Sequence, residues 1–591
     1  MKNKPTRVFD LVKYRTHTYS SSPIFSSKEG NNWNKISNTT FQNQLDEIAK
    51  GLIALGVKPN DKVGIISESR IEWSLLDFAI QQVGAIVVAL YPNISDADYK
   101  YILNHAEIKL AVISNKDLYD RINSIKDEIP ALQNLFILQQ NTQYPHWTFI
   151  HQAGKVVSDQ ELINRVTNVQ PNDIATIIYT SGTTGSPKGV MLTHHNLIAD
   201  MLSSEVSFPV SANMRALSFL PVCHAYERLF HYVYMYKGLT IYYANSMDTI
   251  GLDMREVKPH IFSAVPRVLE KVYEKIMTTG ESLTGVKRKL FFWAINLGEK
   301  YELDNNKRTL WYNLQLSFAR KLIFSKWKEA LGNEIVGIAS GSAALQERLL
   351  RIYLAAGITI YEGYGLTEAG PCLTVNDFRR GMKIGTVGLP LINIEIKLAE
   401  DGEILAKGDN VMQGYYKDEQ ATKEIIKNGW LYTGDIGQWV EGKYLKIIDR
   451  KKEMFKTSGG KYVVPQVIES KMVESPFIEQ FMTIGEGEKF PAGLLVPSYM
   501  NLLEWAKKHA GDLVALPKET FLSSEKVREK LTQEINKINT ALGQWEQIKK
   551  FAVIPNEFTI EGGELTPTLK MKRKKIIEKY QLDYRQIYGN N

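Results

Sequence analysis

Apolar residues along the first part of the chain follow two alternating periods. In the segment 41–56, the apolar residues at three- and four-residue intervals are Leu45, Ile48, Leu52 and Leu55. They predict one buried face of a helix that ends at Gly56. Continuous apolar runs at 63–67, 85–91 and 110–114 alternate with amphipathic stretches at 73–82 and 99–106. Because such runs are typical of strands buried on both faces, we expect an α/β fold with a largely parallel sheet.

The alternation continues through the middle of the chain and changes in character there. Residues 173–179 predict a strand that leads into a loop of Ser, Thr and Gly, and Thr193 is a suitable N-cap for the next helix. Residues 256–330 are helical in pattern, aromatic and basic. From 394 to 448, short apolar runs separated by Gly and Asp predict a more twisted, antiparallel sheet.

A charge cluster, a glycine pair and a helix start after Pro465 mark a change of domain within 447–469. We expect an N-terminal domain at 1–448, built from layered α/β subdomains and a small twisted β-sheet subdomain. A hinge at 449–452 and a small, mobile α+β C-terminal lid domain at 453–591 follow. With 591 residues, the chain is too long for one compact core, which agrees with this division.

Composition and charge narrow the class of protein. Hydrophobic residues make up 44% and charged residues 23% of the chain, which is typical of a globular protein. A net charge of +7 permits an anionic partner but does not argue for nucleic acid. Cys223 and Cys372 are the only cysteines, which excludes a disulfide framework and favours a reducing compartment. No secretory signal and no membrane-spanning run is found, so we expect a cytoplasmic protein.

The loop TSGTTGSPKG at 180–189 holds the first candidate chemistry. It combines five hydroxyl side chains, three glycines and Lys188 directly after the predicted strand. Backbone amides made accessible by glycine, hydroxyl donors and a lysine together suit phosphate oxygens. Since Gly189 follows the lysine, the loop is not a Walker A motif, and neither a GxSxG nor an HExxH motif is present.

Further motifs follow this loop in order along the chain. They are LPVCHAYER at 220–228, ASGSAAL at 339–345, YEGYGLTEAG at 361–370, GWLYTGDIG at 429–437, DRKKEMFKTSGGKYVVP at 449–465 and GGELTPTLKMKRKK at 562–575. Together with the loop they resemble the acyl-adenylate-forming, or AMP-binding, superfamily. The segments 260–276 and 411–422 are most similar to long-chain fatty acyl-CoA synthetases.

The resemblance implies a nucleotide site and assigns its residues. ATP and AMP binding falls to Thr180, Ser181, Gly182, Thr183, Thr184, Gly185, Lys188, Gly341, Ser342, Ala343, Glu362, Gly363, Tyr364, Gly365, Thr367, Asp435, Ile447 and Arg450. Thr184 and Glu368 are expected to hold Mg²⁺, which prefers oxygen ligands shared with phosphates. Tyr364 offers a stacking face for the adenine ring.

The resemblance also implies the catalytic residues Thr184, His224, Glu368 and Lys570. Lys570 would steady the carboxylate and phosphoryl oxygens, with Lys572 as the alternative, although this basic stretch also suits a solvated surface. His224 would line the entrance of the acyl pocket, or serve a structural role. Cys223 is expected to be a packed small side chain. Lys452 occupies the hinge position, about which the C-terminal domain rotates in the family.

The implied activity is an AMP-forming ligase reaction with ATP, Mg²⁺ and CoA, in which a fatty acid becomes an acyl-adenylate and then an acyl-CoA. Three alternatives are an acyl-AMP ligase that delivers to a carrier protein, a medium-chain synthetase, and a non-catalytic binding protein. Aromatic and basic residues interleave at 286–301 and 311–331. This pattern suits docking on the inner face of a membrane, subunit packing as in a homodimer, or a buried helix pair.

Overall fold

The computed structural model describes residues 4–140, 143–180, 186–566 and 570–589. Its contacts divide the chain into two compact units. The larger unit comprises Met1–Lys397, Leu405–Thr433 and Trp439–Lys446, and the smaller comprises Leu398–Ile404, Gly434–Gln438 and Ile447–Asn591. The chain is therefore a mixed α/β protein with a large N-terminal and a smaller C-terminal unit. The hinge at 449–452 stays a prediction.

The first 168 residues alternate helices and strands. In chain order they form α1 (Asp10–Thr18), β1 (Phe25–Glu29), β2 (Asn32–Ile36), α2 (Asn38–Ala54), β3 (Lys62–Ile66), α3 (Ile71–Gln82), β4 (Ile86–Leu90), α4 (Asp96–His105), β5 (Ile108–Ile113), α5 (Lys116–Ser124), β6 (Asn134–Ile137), α6 (Thr148–Ala153) and α7 (Asp159–Asn168). The helix predicted at 41–56 is α2, and it begins earlier because the Ser37 side chain accepts a hydrogen bond from the Thr40 amide.

The middle of the chain adds two groups of elements. The first is β7 (Ile174–Thr180), β8 (Lys188–Thr193), α8 (His194–Ser204), β9 (Arg215–Ser218), α9 (Ala225–Lys237), β10 (Thr240–Tyr243), α10 (Ile250–Val257), β11 (Ile261–Ala264), α11 (Pro266–Ser282), α12 (Gly285–Glu299), α13 (Leu310–Ala319) and α14 (Ser325–Ala330). The second is β12 (Gly337–Ser340), α15 (Glu347–Ala355), β13 (Ile360–Gly365), β14 (Cys372–Val375), β15 (Leu389–Pro390), β16 (Glu395–Leu398), β17 (Glu403–Lys407), β18 (Gly414–Tyr415), α16 (Glu419–Ile425), β19 (Ile426–Lys427), β20 (Trp430–Val440) and β21 (Tyr444–Arg450). As predicted, Thr193 caps α8.

Two sheets organise the larger unit. The first has the order β18-β8-β7-β4-β3-β5-β6. Strands β7, β4, β3, β5 and β6 are parallel, β8 is antiparallel to β7, and the edge strand β18 is antiparallel to β8. The second has the order β15-β14-β13-β12-β11-β9-β10-β1-β2 and is parallel from β13 to β1. The expectation of buried, largely parallel strands is confirmed.

The prediction of a helical region over about 256–330 is wrong at one point. Ile261–Ala264 form β11, which lies in the second sheet between β9 and β12. All four residues are buried. A run of four is too short to reveal a strand by its period when amphipathic helices surround it, and its sheet partners are distant in sequence.

The smaller unit contains its own short elements. They are β22 (Phe455–Lys456), β23 (Tyr462–Val463), α17 (Pro465–Met472), β24 (Ile478–Ile484), β25 (Ala492–Pro497), α18 (Tyr499–His509), α19 (Lys518–Ser523), α20 (Glu525–Asn539), β26 (Lys550–Val553), α21 (Arg573–Lys579) and α22 (Gln581–Tyr588). The strands β24, β25 and β26 form one sheet with mixed pairing. Every helix in the described part of the chain is too short or too polar to span a bilayer.

A buried ion pair fastens α9 within the larger unit. The guanidinium of Arg228 on α9 contacts the carboxylate of Asp77 on α3, and both side chains are about 1% exposed. Arg228 Nη1 also donates to Thr176 Oγ1 on β7 at 2.8 Å, and Tyr232 Oη donates to Asp77 Oδ2 at 3.1 Å. One charged network therefore joins two helices to the strand that precedes the predicted phosphate loop.

We expect Asp77→Ala to lower the free energy of unfolding of the larger unit by about 3–5 kcal/mol, because the substitution leaves a buried guanidinium without its counter-charge. Urea denaturation followed by fluorescence measures the change. Asp159→Ala is the control: this aspartate pairs with Lys50 but is 87% exposed, and its loss should change stability little. A wild-type urea midpoint for Asp77→Ala would contradict the role of the network.

Candidate functional site

Several predicted site residues lie where neighbouring strands of the second sheet end. The parallel strands β12 and β13 end at Ser340 and Gly365, and Ser340 pairs with Glu362. The motif residues after each strand therefore leave the sheet at its carboxyl edge, where α/β proteins bind ligands. The edge contains the predicted residues of 341–343 and 362–367.

Glu362 fixes the turn that follows β12. Its Oε1 accepts a hydrogen bond from the Leu345 amide at 3.1 Å, and its side chain is buried. Burial raises the pKa of Glu362 to about 8; the Leu345 hydrogen bond opposes this shift, and the nearby Glu347 adds to it. Within the turn, Ser342 has a φ of 68°, a backbone conformation that favours glycine.

Close contacts explain three glycines of the site, two through backbone atoms and one through a side chain. A Cβ atom on Gly365 would lie 1.8 Å from the carbonyl oxygen of Pro371, so no larger residue fits. A Cβ atom on Gly363 would lie 2.9 Å from the Thr374 oxygen of β14. A Cβ atom on Gly341 would lie 3.0 Å from the ring of Tyr226. No role was assigned to Tyr226 from the sequence. Because these three glycines have no side chain, the segments 339–345 and 361–370 can pack closely against their neighbours.

The remaining residues of YEGYGLTE occupy the same edge. Tyr364 is half-buried on β13 and pairs with Thr374 of β14. Thr367 is buried, and Ala343 is exposed in the turn after β12. The backbone thus presents an aromatic ring, a buried hydroxyl and a small side chain along one edge of the sheet.

Tyr415 brings two predicted residues from different motifs together. Its hydroxyl donates to Glu368 Oε1 at 2.7 Å, and Lys188 Nζ lies 5.0 Å from the centre of its ring. Burial and the neighbouring Glu368 carboxylate raise the pKa of Tyr415, so the phenol stays protonated as a donor. Sequence reasoning assigned no role to Tyr415, although the segment 411–422 that contains it was singled out.

The two strands that flank the predicted phosphate loop, β7 and β8, pair with each other. Thr180 pairs with Lys188 across β7 and β8. The side chain of Tyr179 contacts His105 Nδ1 through its hydroxyl at 2.7 Å, and Gly189 accepts a hydrogen bond from the Tyr416 amide at 2.7 Å. The predicted residues Ser181, Gly182, Thr183, Thr184 and Gly185 lie outside the described residues.

His224 is the N-cap of α9, where its Nδ1 accepts a hydrogen bond from the Tyr226 amide at 3.2 Å. Its ring centre lies 6.5 Å from that of Tyr91. The adjacent Cys223 is buried, and burial raises the pKa of its thiol well above the ordinary value. The cysteine is a packed neutral side chain, as expected, and His224 has a structural contact whatever its further role.

The smaller unit holds the other predicted residues. Arg450 Nε lies 3.4 Å from Oδ1 of the buried Asp435. Beside them, Lys451 contacts Asp401 at 2.5 Å and Glu403 at 2.8 Å. The predicted residue Ile447 is half-buried, and the predicted hinge residue Lys452 is exposed.

Lys570 lies in a short loop of the same unit. Its backbone amide donates to Thr566 Oγ1 at 3.0 Å, and the Thr566 amide donates to the Lys570 carbonyl at 2.8 Å. Its side chain is exposed. The backbone of Lys572 is tied to Glu564 instead, through an N–H···O bond of 2.7 Å. The two candidate lysines are therefore anchored differently.

The donor chemistry suits a magnesium ion that is shared with a nucleotide. Across the residues that the structure describes, no group of three or more His, Cys, Asp or Glu side chains could hold a metal ion. Glu368 offers a single carboxylate, held in position by Tyr415. Because Mg²⁺ is commonly bound by one or two carboxylates together with substrate phosphates, one oriented carboxylate fits this ion.

The raised pKa of Glu362 predicts a pH-dependent stability. The folded chain keeps this proton up to about pH 8, whereas the unfolded chain loses it near the ordinary value of 4.5. The stabilisation is therefore complete below pH 4.5 and is lost as the pH rises to about 8, by at most about 1.4 kcal/mol per pH unit.

We expect Glu362→Gln to remove this dependence, because an amide is neutral at every pH. Urea denaturation from about pH 5 to pH 8 should show the variant gaining stability relative to the wild type as the pH rises. Glu347→Gln, which keeps the Glu362 carboxyl, is the control and should retain the dependence. Parallel pH profiles for Glu362→Gln and the wild type would disprove the assignment.

Known proteins that are similar to this chain include two long-chain-fatty-acid–CoA ligases. The long-chain-fatty-acid–CoA ligase FadD15 of Mycobacterium bovis is 33% identical over 562 residues, covering 94% of this chain and 93% of its own. Long-chain-fatty-acid–CoA ligase 5 of Rattus norvegicus is 30% identical over 592 residues, covering 94% of this chain and 84% of its own.

Solved structures show the same fold. The anthranilate CoA ligase AuaEII in complex with anthranoyl-AMP superposes with a TM-score of 0.73 at 17% identity, over 98% of both chains. A fatty acyl CoA synthetase of Mycobacterium tuberculosis superposes with a TM-score of 0.61 at 20% identity, over 98% of this chain and 99% of its own.

Family models match both parts of the chain. Residues 453–591 match the model described as the AMP-binding enzyme C-terminal domain. Residues 14–416, which are more than half of the chain, match the model described as AMP-binding enzyme. The chain therefore belongs to the AMP-binding enzyme family.

Proposed function

We propose that the protein is a long-chain fatty acid–CoA ligase that uses ATP, Mg²⁺ and CoA. The observation that carries this proposal is the similarity to long-chain-fatty-acid–CoA ligases over more than nine-tenths of the chain. The arrangement of Lys188, Tyr415 and Glu368 supports it, because a lysine and an oriented carboxylate suit phosphate oxygens and their metal ion.

The reaction has two half-reactions. A carboxylate oxygen of the fatty acid attacks the α-phosphorus of ATP and expels pyrophosphate, which gives an acyl-adenylate. The CoA sulfur then attacks the acyl carbon, the thiol proton is released, and AMP leaves. Each step leaves negative charge on the oxygens of the departing phosphate group, so the protein contributes mainly positioning and charge stabilisation.

We assign a proposed role in this reaction to several of the site residues. Tyr364 and the turn 341–343 are proposed to hold the adenine, and Asp435 with Arg450 the ribose. Thr180, Lys188 and the loop residues 181–185 would hold phosphates, while Thr184 and Glu368 would hold Mg²⁺, which neutralises phosphate charge when bound. Lys570 would stabilise the anionic oxygens of adenylation. Lys452 is proposed as the hinge between the half-reactions.

Tyr415→Phe tests whether the tyrosine orients Glu368. Loss of the hydrogen bond to the carboxylate should raise the Mg²⁺ concentration needed for half-maximal pyrophosphate release about tenfold or more, since hydrogen bonds to charged groups contribute about 1.5–3 kcal/mol. Tyr416→Phe is the matched control, because it removes the hydroxyl of the adjacent residue. An unchanged Mg²⁺ dependence in Tyr415→Phe would refute the orienting role.

Substitution of each lysine by glutamine separates Lys570 from Lys572. We expect Lys570→Gln to slow fatty-acid-dependent pyrophosphate release by at least about a hundredfold, since one well-placed charge can stabilise a transition state by several kcal/mol. Lys572→Gln should retain most activity. Acyl-CoA formation from preformed acyl-adenylate should persist in Lys570→Gln. A larger loss in Lys572→Gln would reverse the assignment.

A panel of fatty acids tests the substrate class. Rates of acyl-CoA formation should rise from short to long chains, because each buried CH₂ contributes about 0.8 kcal/mol. A maximum at medium length would favour a medium-chain synthetase. Pyrophosphate release without acyl-CoA would favour an acyl-AMP ligase, and no release at all would leave only a binding protein.

We infer a cytoplasmic enzyme whose partners are its small-molecule substrates rather than nucleic acid. The absence of a membrane-spanning helix among the described residues leaves peripheral contact as its mode of meeting a membrane. A homodimer is the alternative interpretation of the interleaved aromatic and basic residues at 286–301 and 311–331. Gel filtration at several protein concentrations distinguishes a monomer from a dimer.

A further inference from the structure

Helix α13 and the π-helical turn after it expose a continuous apolar stripe. Its members are Leu310, Trp311, Leu314, Phe318 and Leu322, which are 49–89% exposed. Four of them are spaced four residues apart and therefore lie on one side of the helical run. On the neighbouring α12, Val286 and Leu290 are exposed at the same spacing. Isolated exposed apolar residues are ordinary, but a continuous stripe of them marks an interaction surface.

The inner sides of these helices are already occupied. Phe291 of α12 and Leu316 of α13 are buried in one hydrophobic core of the larger unit, together with Phe324. Trp293 Nε1 donates to Gln315 Oε1 at 3.2 Å and joins the two helices. The outer stripe is therefore not needed for packing within the larger unit. We call residues 285–326 the basic-apolar surface.

Positive charge is concentrated on the same segment. The basic-apolar surface has nine Lys and Arg residues and three Asp and Glu residues, an excess of six, whereas the whole chain carries +7. Two of its acids are paired with α15: Glu299 contacts Arg348 at 2.7 Å, and Glu302 contacts Arg351 at 2.8 Å. Lys287, Lys289, Lys307 and Lys321 are exposed.

We propose that the basic-apolar surface docks on an anionic lipid bilayer, with the apolar stripe among the lipids and the lysines at the head groups. An amphipathic surface with this composition lies in the membrane interface. A second copy of the chain is the poorer occupant, because two such surfaces would bring like charges together. The inference extends the proposed function, since a long-chain acid partitions into lipid.

Vesicle co-sedimentation of the full chain, without substrates, tests the proposal. The probes are phosphatidylcholine vesicles containing about one-third phosphatidylglycerol and vesicles of phosphatidylcholine alone. We expect binding to the anionic vesicles and much weaker binding to the neutral ones. Binding should weaken as salt rises from about 0.1 M to about 1 M, because the screening length falls from about 10 Å to about 3 Å.

Two double variants identify the surface. Lys287→Gln with Lys289→Gln should weaken binding to the anionic vesicles about tenfold or more, at about fivefold for each basic residue. Leu314→Asp with Phe318→Asp should weaken it at least as much, because the apolar insertion is lost. The matched controls are Lys35→Gln with Lys155→Gln, and Ile163→Asp on α7, which is 54% exposed. They should bind like the wild type.

The outcomes decide between the occupants. Equal binding by Leu314→Asp with Phe318→Asp and by Ile163→Asp overturns the proposal, as does failure of the wild type to bind anionic vesicles. A wild-type dimer that these two aspartates dissociate, with no vesicle binding, assigns the surface to a second copy. Unchanged thermal melting shows that the variants are folded. Vesicle binding without fatty-acid-dependent pyrophosphate release would uphold the surface while the proposed function fails.

Discussion

The contact of Tyr415 with Glu368 and Lys188 joins the two sheets of the larger unit. Tyr415 belongs to the edge strand β18 of the first sheet, whereas Glu368 follows β13 of the second. The Met412 amide donates to the Glu368 carbonyl at 2.9 Å, so the backbone makes the same connection. Tyr415 therefore contacts two residues that are far apart in sequence. Lys188 lies over its ring, and the Glu368 carboxylate accepts a hydrogen bond from its hydroxyl.

Much of the fold follows from local patterns. Continuous apolar runs predict β3, β4 and β5 because parallel strands covered on both faces have no polar side. Thr193 predicts the start of α8 because its side chain satisfies an otherwise unpaired helix amide. The four-residue strand β11 is not visible in this way, since its identity depends on neighbours that are remote in sequence.

The site shows the same division between local and distant information. Sequence motifs identify Glu368 and Lys188, and close backbone approach accounts for Gly363 and Gly365 once the strand pairing is known. Tyr415 is not identifiable from sequence alone, because its partners come from two separate segments. Such partners are set by tertiary pairing rather than by residue type or spacing.

The buried carboxyl of Glu362 has a consequence for the charge at the carboxyl edge of the second sheet. A carboxyl with a pKa near 8 is protonated at neutral pH, so this side chain can brace the turn after β12 without adding a negative charge to it. A polyanion at that edge would therefore not be repelled by this side chain. A glutamate at this position is long enough to accept the hydrogen bond from the Leu345 amide, and it is uncharged at neutral pH.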